Sequence, residues 1–362
     1  MPCEGCGSES RPVAGSLGLC VDCLRAGKAG CTDVAVQVHR RLRSKFPLPV
    51  SVPRGEGRSC SRCANECVIP DGGRGYCGVR HAVEGKVSGG NARDGVAHWY
   101  ADPLPTNCVA DWVCPAGGRA GYPRYSHIEG PEFGFFNLAV FYSGCTFDCL
   151  FCQNWQCREA THRQPVTATK LAEAVTDEVS CICYFGGDPS PQIHHALAAA
   201  REARRRRGDE ILRVCWETNG AMSPDLLRAM INISLESGGC IKFDIKAWNE
   251  DLHHALTGAG NRRTLSNVGV IAEYIQERPE PPLFVASTLL VPGYVDEEEV
   301  TRIAAFLAEH SPDIPYALLA FAPQFAMSDL PTTSRDQAMR CLAAARAAGL
   351  ANVKIGNEHL LK

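Results

Sequence analysis

Tyr142-Ser143-Gly144-Cys145-Thr146-Phe147-Asp148-Cys149-Leu150-Phe151-Cys152-Gln153-Asn154-Trp155 carries three cysteines in the spacing Cys-x3-Cys-x2-Cys. A cubane iron–sulfur cluster takes four thiolates, one for each iron. Three thiolates from one tight loop leave one iron without a protein ligand. An open metal position marks a catalytic rather than a structural site. Such an iron can chelate a small molecule and pass it an electron. Spacing alone leaves a second reading, a zinc site completed by a distant residue.

The loop follows an apolar run over residues 135–142 that reads as a buried strand. Downstream, strand and helix signals alternate. Helical patterns over 169–179, 195–207 and 224–231 separate strands over 182–185, 211–216 and 240–246. Further strands follow at 284–291, 316–321 and 353–357. Regular alternation of this kind implies parallel strands joined by right-handed crossovers. About six such units make an α/β fold, a partial (β/α)6 barrel open along one side. The cysteine loop, Gly186-Gly187, Glu217-Thr218 and the Asp244/Lys246 pair all fall at C-terminal strand ends. Active sites of α/β barrels sit there.

The front third has a different texture. Cys3-x2-Cys6 and Cys20-x2-Cys23 flank a Gly- and Pro-containing stretch and read as a zinc ribbon, with an iron site as the competitor. Val34, Val38, Leu42 and Phe46 recur at every fourth position and predict a connecting helix, with His39, Arg40, Arg41 and Arg43 between them. Cys60, Cys63, Cys67 and Cys77 offer four soft ligands, suited to zinc or to an auxiliary cluster. Cys108 and Cys114 read equally as buried apolar residues or as part of a site. The expected division is a zinc-ribbon-like module over 1–35, a cysteine-rich accessory region over 36–133, and the barrel over 134–362.

Composition narrows the function classes. The 362 residues are 45% hydrophobic and 21% charged, enough for a sizeable core. A net charge of -3 gives no electrostatic case for nucleic acid as a partner. No apolar run approaches the roughly 18 residues of a membrane span, and the first residues lack a signal-peptide pattern. The expected location is therefore the cytoplasm, without membrane partners. Twenty cysteines there argue for metal binding rather than disulfides, and fifteen of them precede residue 158.

These motifs, in this order, resemble the radical S-adenosylmethionine enzymes. Within them the chain is similar to the branch of glycyl-radical-enzyme activases of the pyruvate formate-lyase type. The resemblance covers residues 134–362 and reaches back to the Cys60–Arg80 segment. It implies that Cys145, Cys149 and Cys152 form the catalytic centre by ligating three irons of a [4Fe-4S] cluster, whose open iron binds S-adenosylmethionine. Phe151 would lie near the adenine. Gly186, Gly187 and Asp188 match the motif that holds the cofactor's amino group, with Asp188 where Glu is more usual. Glu217, Thr218 and Asp244 match residues that can surround a monovalent cation, and Lys246 one that contacts the cofactor carboxylate. Ser287 stands where the activases often carry Arg.

The implied activity is reductive cleavage of the cofactor to a 5′-deoxyadenosyl radical that abstracts hydrogen from a protein or small-molecule substrate, including a glycyl radical enzyme. A flavodoxin or ferredoxin-type protein would supply electrons. The competing reading is a non-catalytic adaptor with zinc in all three cysteine groups. Zinc alone leaves the strand-end motifs unexplained.

Overall fold

The computed structural model describes residues 1–27, 30–106, 108–162 and 164–362, the side chains of 160–162 excepted. Its central element is an eight-stranded sheet. The strands are β1 (Ala97–Pro103), β2 (Phe136–Tyr142), β3 (Val179–Gly186) and β4 (Arg213–Thr218), then β5 (Ile241–Asp244), β6 (Phe284–Leu290), β7 (Tyr316–Ala320) and β8 (Val353–Gly356). They lie side by side in sequence order. Strands β2 to β8 run parallel, and β1 pairs antiparallel with β2 along one edge.

Six crossovers join the seven parallel strands. Those after β2 to β4 carry α3 (Ala168–Glu173), α4 (Ile193–Arg207) and α5 (Pro224–Ser237). The later ones carry the pair α6 (Glu250–Thr257) and α7 (Arg262–Ala272), then α8 (Glu297–His310) and α9 (Arg335–Ala347). The partial (β/α)6 barrel expected from the alternating pattern is thus present, followed by one further strand, β8. Parallel strands are covered on both faces, which explains runs as apolar as those of β3 and β6.

Helix α5 continues past the expected 231 to Ser237, and two further departures from the sequence reading have a local physical cause. The helix expected over 169–179 stops at Glu173, because Val179 already pairs with β2 and the chain must turn before it. The β-branched Val175 and Thr176 fit that turn better than a helix interior. Strand β1 was not foreseen. It is a half-exposed edge whose Trp99 and Tyr100 give no clean alternation, and Tyr100 stacks on Phe141 of β2 with ring centroids 5.7 Å apart.

A buried ion pair closes the bottom of the barrel. Arg213, at the start of β4, donates to both carboxylate oxygens of Glu132 at 2.9 and 2.5 Å, and to the carbonyl of Tyr125. The His127 N–H and Ser180 Oγ also donate to Glu132. The loop from Tyr125 to Glu132 is thereby pinned beneath the sheet.

The front of the chain packs on the barrel flank. Helices α1 (Val21–Arg25) and α2 (Cys31–Arg43) lie against α6. Arg25 reaches Asp296 at 2.5 Å and Glu299 at 3.0 Å, at the start of α8. Tyr294 Oη accepts from the Ala14 N–H and donates to the Leu19 carbonyl. Among the described residues no helix is long and apolar enough to cross a membrane.

Breaking a buried pair from one side leaves an uncompensated charge, which typically costs about 3–5 kcal/mol. Arg213→Met should therefore lower the urea midpoint by an equivalent amount. Burial alone would push the Glu132 carboxyl up, but Arg213, His127 and Ser180 hold it down at about 2. The stability from this depressed carboxyl is complete above the ordinary carboxylate range and is lost as pH falls toward that value. Glu132→Gln should flatten the acid limb of stability against pH, measured by urea titration.

Candidate active site

The cysteine loop leaves β2 and is held from three sides through one carboxylate. Asp148, fully buried between Cys145 and Cys149, accepts from Arg158 Nε at 2.9 Å and lies 3.0 Å from His39 Nδ1. Arg43 Nη1 of α2 stands 3.4 Å away. Burial would raise this carboxyl, yet His39, Arg158 and Arg43 keep it below its usual range. The Asp148 and Leu150 N–H groups donate to the carbonyls of Thr257 and Leu256. The helix read from its four-residue periodicity is therefore more than a connector: two of its polar residues lock the loop.

All three thiols of the loop line one cavity of about 900 Å³ at the C-terminal end of the sheet. Burial raises the Cys145 thiol well above its ordinary value, with Asp188 and the neighbouring sulfurs adding to it. Burial also pushes Cys149 up to about 12, against the pull of Lys246. Cys152 goes the other way, to about 6, because Cys157 shares a hydrogen bond with it. Buried thiols of this kind release protons when they ligate a metal.

Metal geometry separates this loop from the N-terminal cysteines. A single tetrahedral zinc, with Zn–S bonds of about 2.3 Å, spaces its sulfurs about 3.8 Å apart. Cys3 and Cys23 lie 3.8 Å apart, Cys6 and Cys20 3.7 Å, and all four Sγ atoms fall within 4.8 Å of one another. No other set of three or more His, Cys, Asp or Glu ligand atoms among the described residues is so compact. Cys145, Cys149 and Cys152 share a cavity without that spacing, which fits a multi-iron cluster better than one ion. Cys60, Cys63, Cys67 and Cys77 line a separate, smaller cavity.

The strand-end residues converge on the large cavity. Phe151, Gly186, Gly187, Glu217, Thr218, Asp244 and Lys246 all line it. Gly186 has φ +73, and a Cβ there would meet Phe141 at 2.8 Å; a Cβ on Gly187 would strike the Gly144 carbonyl. The close approach of the end of β3 to β2 thus requires Gly186, and its contact with the cysteine loop requires Gly187. Lys246 Nζ donates to Asp244 at 2.8 Å and lies 5.8 Å from the Phe151 ring centroid. Burial would lower the Lys246 ammonium, but Asp244 and the nearby thiols hold it up.

Asp188 is placed behind the wall rather than in the cavity. It is 1% exposed and accepts from the N–H and hydroxyl of Ser190 and from Thr218 Oγ1 at 3.0 Å. Burial raises its carboxyl despite these donors. It braces the β3 and β4 loops against each other, and Asn219 extends the brace by donating to Thr146 Oγ1 at 2.7 Å.

One charged residue at the site, Lys242, escaped the sequence reading, and the structure settles the places of Cys108 and Ser287. Lys242 is buried beneath the cavity, 2.8 Å from Cys108 Sγ and 3.0 Å from Glu217. Burial would lower its ammonium, yet Cys108 and Glu217 raise it well above the ordinary value. Its signal was the period-two spacing of Lys242 and Asp244, which puts both on one face of β5. Cys108 lines the cavity, so it belongs to the site wall. Ser287, standing where a guanidinium was looked for, donates to Asp244 at 2.5 Å.

Residues 139–307 match the family model for the radical SAM superfamily. An isethionate sulfite-lyase activating enzyme of Desulfovibrio desulfuricans is 36% identical over 138 residues, which are 38% of this chain and 40% of that protein. Pyruvate formate-lyase 1-activating enzyme of Escherichia coli K12 is 25% identical over 175 residues, 48% of this chain and 67% of that protein. A crystallised domain of a Bacteroides vulgatus pyruvate-formate lyase-activating enzyme aligns with 48% of this chain and 98% of its own length, at 18% identity and a TM-score of 0.37.

Replacing Asp148 by Asn should leave His39, Arg43 and Arg158 around a neutral side chain. The expected cost is about 3–5 kcal/mol of stability, together with lower iron retention after anaerobic desalting, read by iron analysis. Unchanged iron content and urea midpoint would refute the locking role of this carboxylate.

Proposed function

We propose that this protein is an enzyme that uses a [4Fe-4S] cluster on Cys145, Cys149 and Cys152 to cleave S-adenosylmethionine and abstract a hydrogen atom from a protein substrate of the glycyl-radical-enzyme class. One observation carries the reading: the three thiols share a single cavity with Phe151, Thr218, Glu217, Asp244 and Lys246. The activating-enzyme names of the relatives support the choice of a protein substrate. A flavodoxin or ferredoxin-type protein is the proposed electron donor.

Cys145, Cys149 and Cys152 would hold the cluster, which would supply the one-electron reduction needed to cleave the cofactor's C5′–S bond into methionine and a 5′-deoxyadenosyl radical. The chain's own residues do the positioning. Lys246 offers an ammonium to the cofactor carboxylate, held in place by Asp244. Gly186 and Gly187 leave backbone room for the amino group, and Phe151 gives an apolar face for the adenine. Separate anchors for each group fix the direction in which the radical forms. Lys242 already neutralises Glu217 from below, so in this chain a lysine ammonium stands on that side of the acid, where the resemblance implied a monovalent cation. Asp188 acts at one remove, by fixing the Thr218 hydroxyl.

A zinc ion on Cys3, Cys6, Cys20 and Cys23 completes the reading, supported by their tetrahedral spacing. The adaptor alternative requires the same spacing in all three cysteine groups, and only the first has it.

After anaerobic reconstitution and addition of dithionite, the protein should convert S-adenosylmethionine to 5′-deoxyadenosine, measured by liquid chromatography. The Cys145→Ala/Cys149→Ala/Cys152→Ala variant should make none; product from that variant would end the proposal. Lys246→Met should weaken S-adenosylmethionine binding roughly tenfold, about 1.4 kcal/mol by calorimetry, with iron content unchanged. An unaltered affinity would remove Lys246 from the cofactor site.

A further inference from the structure

Helix α2 presents two different faces. The inner one supplies His39 and Arg43, both buried, which meet the Asp148 carboxylate inside the cysteine loop at 3.0 and 3.4 Å. The outer one carries Arg40 and Arg41, and Lys45 follows a turn later; all three are exposed. Among the described residues none of the three has a carboxylate partner. The helix's only acid, Asp33, lies in its first turn, at the far end.

Other helices of this chain treat exposed arginines differently. Arg205 and Arg206 pair with Glu202, Arg302 with Glu298, and Arg340 with Asp336, each within about one turn. In α2 the corresponding place, one turn before Arg40 and Arg41, is held by Gln37. A helix C-terminus favours cations by about 0.3–1 kcal/mol each. That explains why basic residues end α2, but not why their intrahelical partner is missing. Like charges so close repel one another, and an acidic surface laid over them removes the repulsion. The whole chain carries a net charge of -3, so this basic face is a local feature that directs such a partner to one place.

Apolar groups adjoin the cations. Val50 is 43% exposed, and the half-buried Phe46 packs against Trp155 with ring centroids 6.3 Å apart. Trp155 stands just after Cys152 in the chain. Charged groups beside a small apolar surface suit the small, transient interfaces of electron-transfer proteins. The face is also close to the cysteine loop. Only α2 stands between them, and a helix with its side chains is about 10–12 Å across. The cavity mouth, the other approach to the three thiols, is the side from which cofactor and substrate enter.

We propose that the outer face of α2, through Arg40, Arg41 and Lys45, docks an acidic one-electron carrier protein that reduces the cluster on Cys145, Cys149 and Cys152. The inference rests on the cluster chemistry proposed above and assigns its electron donor a place and a charge. One electron leaves the reduced carrier and enters the cluster; no bond is made or broken and no proton moves.

The test uses the full chain after anaerobic reconstitution, with an acidic flavodoxin and an acidic ferredoxin as probes. Calorimetry should show one of them binding at about 0.01 M ionic strength, and the binding lost at about 1 M, where charges are screened within a few ångströms. Arg40→Glu/Arg41→Glu/Lys45→Glu should weaken that binding by about tenfold or more and slow carrier-driven 5′-deoxyadenosine formation in proportion. Its iron content and its dithionite-driven rate should match the native protein. Gln37→Glu, which supplies the missing intrahelical partner and removes no cation, should weaken binding about threefold, and it serves if the triple variant does not fold. Native affinity in the variants, binding that salt does not weaken, binding by neither carrier, or an equal loss of the dithionite-driven rate would overturn the proposal. Binding is read without turnover. Absence of product with dithionite therefore sinks the catalytic reading, whereas carrier binding that survives charge reversal sinks only the docking face.

Discussion

A loop that offers three thiols to one cavity must be held in shape without help from its own short backbone. The Asp148 carboxylate does this, because it lies inside the loop and is met by His39, Arg43 and Arg158. Removing a carboxylate from water is unfavourable unless charge and hydrogen bonds compensate it. Its three partners come from α2 and from the chain just after the loop, so the loop cannot adopt its shape unless both are in place. The accessory region thereby helps to hold the cysteine loop, although it contributes no residue of the strand-end motifs.

Below the loop, the cavity floor is built from alternating charges on adjacent strands. Lys242 meets Glu217 across β4 and β5, and Lys246 meets Asp244 within the turn after β5. Each ion is satisfied inside the protein before any ligand arrives. A site arranged in this way needs little reorganisation to receive a zwitterionic group, which is the general advantage of preorganised polar surroundings. Ser287 and Asp188 serve the same end by fixing the carboxylate and the hydroxyl that face the cavity.

The three cysteine groups differ in their spacing in space more than in sequence. The ribbon's sulfurs have tetrahedral separations, the loop's three face an open cavity, and the middle four line a small cavity shared with Arg62 and Arg80. All three begin from short Cys-x2-Cys or Cys-x3-Cys runs, so their one-dimensional patterns are nearly alike. Their different surroundings come from what packs on them: Tyr294 and α8 for the first, the barrel mouth for the second, and Ala221 and Thr146 for the third.

The barrel was legible because buried parallel strands leave apolar runs and their C-terminal ends carry Gly-Gly, Glu-Thr and Asp-x-Lys at regular intervals. Those local patterns fixed the parallel architecture, the cysteine triplet and the end of the sheet where the site lies. Strand β1 was hidden, since an edge strand exposed on one side needs no continuous apolar run. The roles of His39, Arg43, Lys242 and Asp188 were hidden for another reason. Each depends on a partner between 25 and 134 residues away or on the far side of a loop, and a charge's meaning changes with whether it is solvated or buried beside its opposite. Sequence determined which groups were available for metal and cofactor. Only the tertiary structure decided which of them are spent on each other and which are left facing a cavity, because burial and pairing are properties of the packed chain.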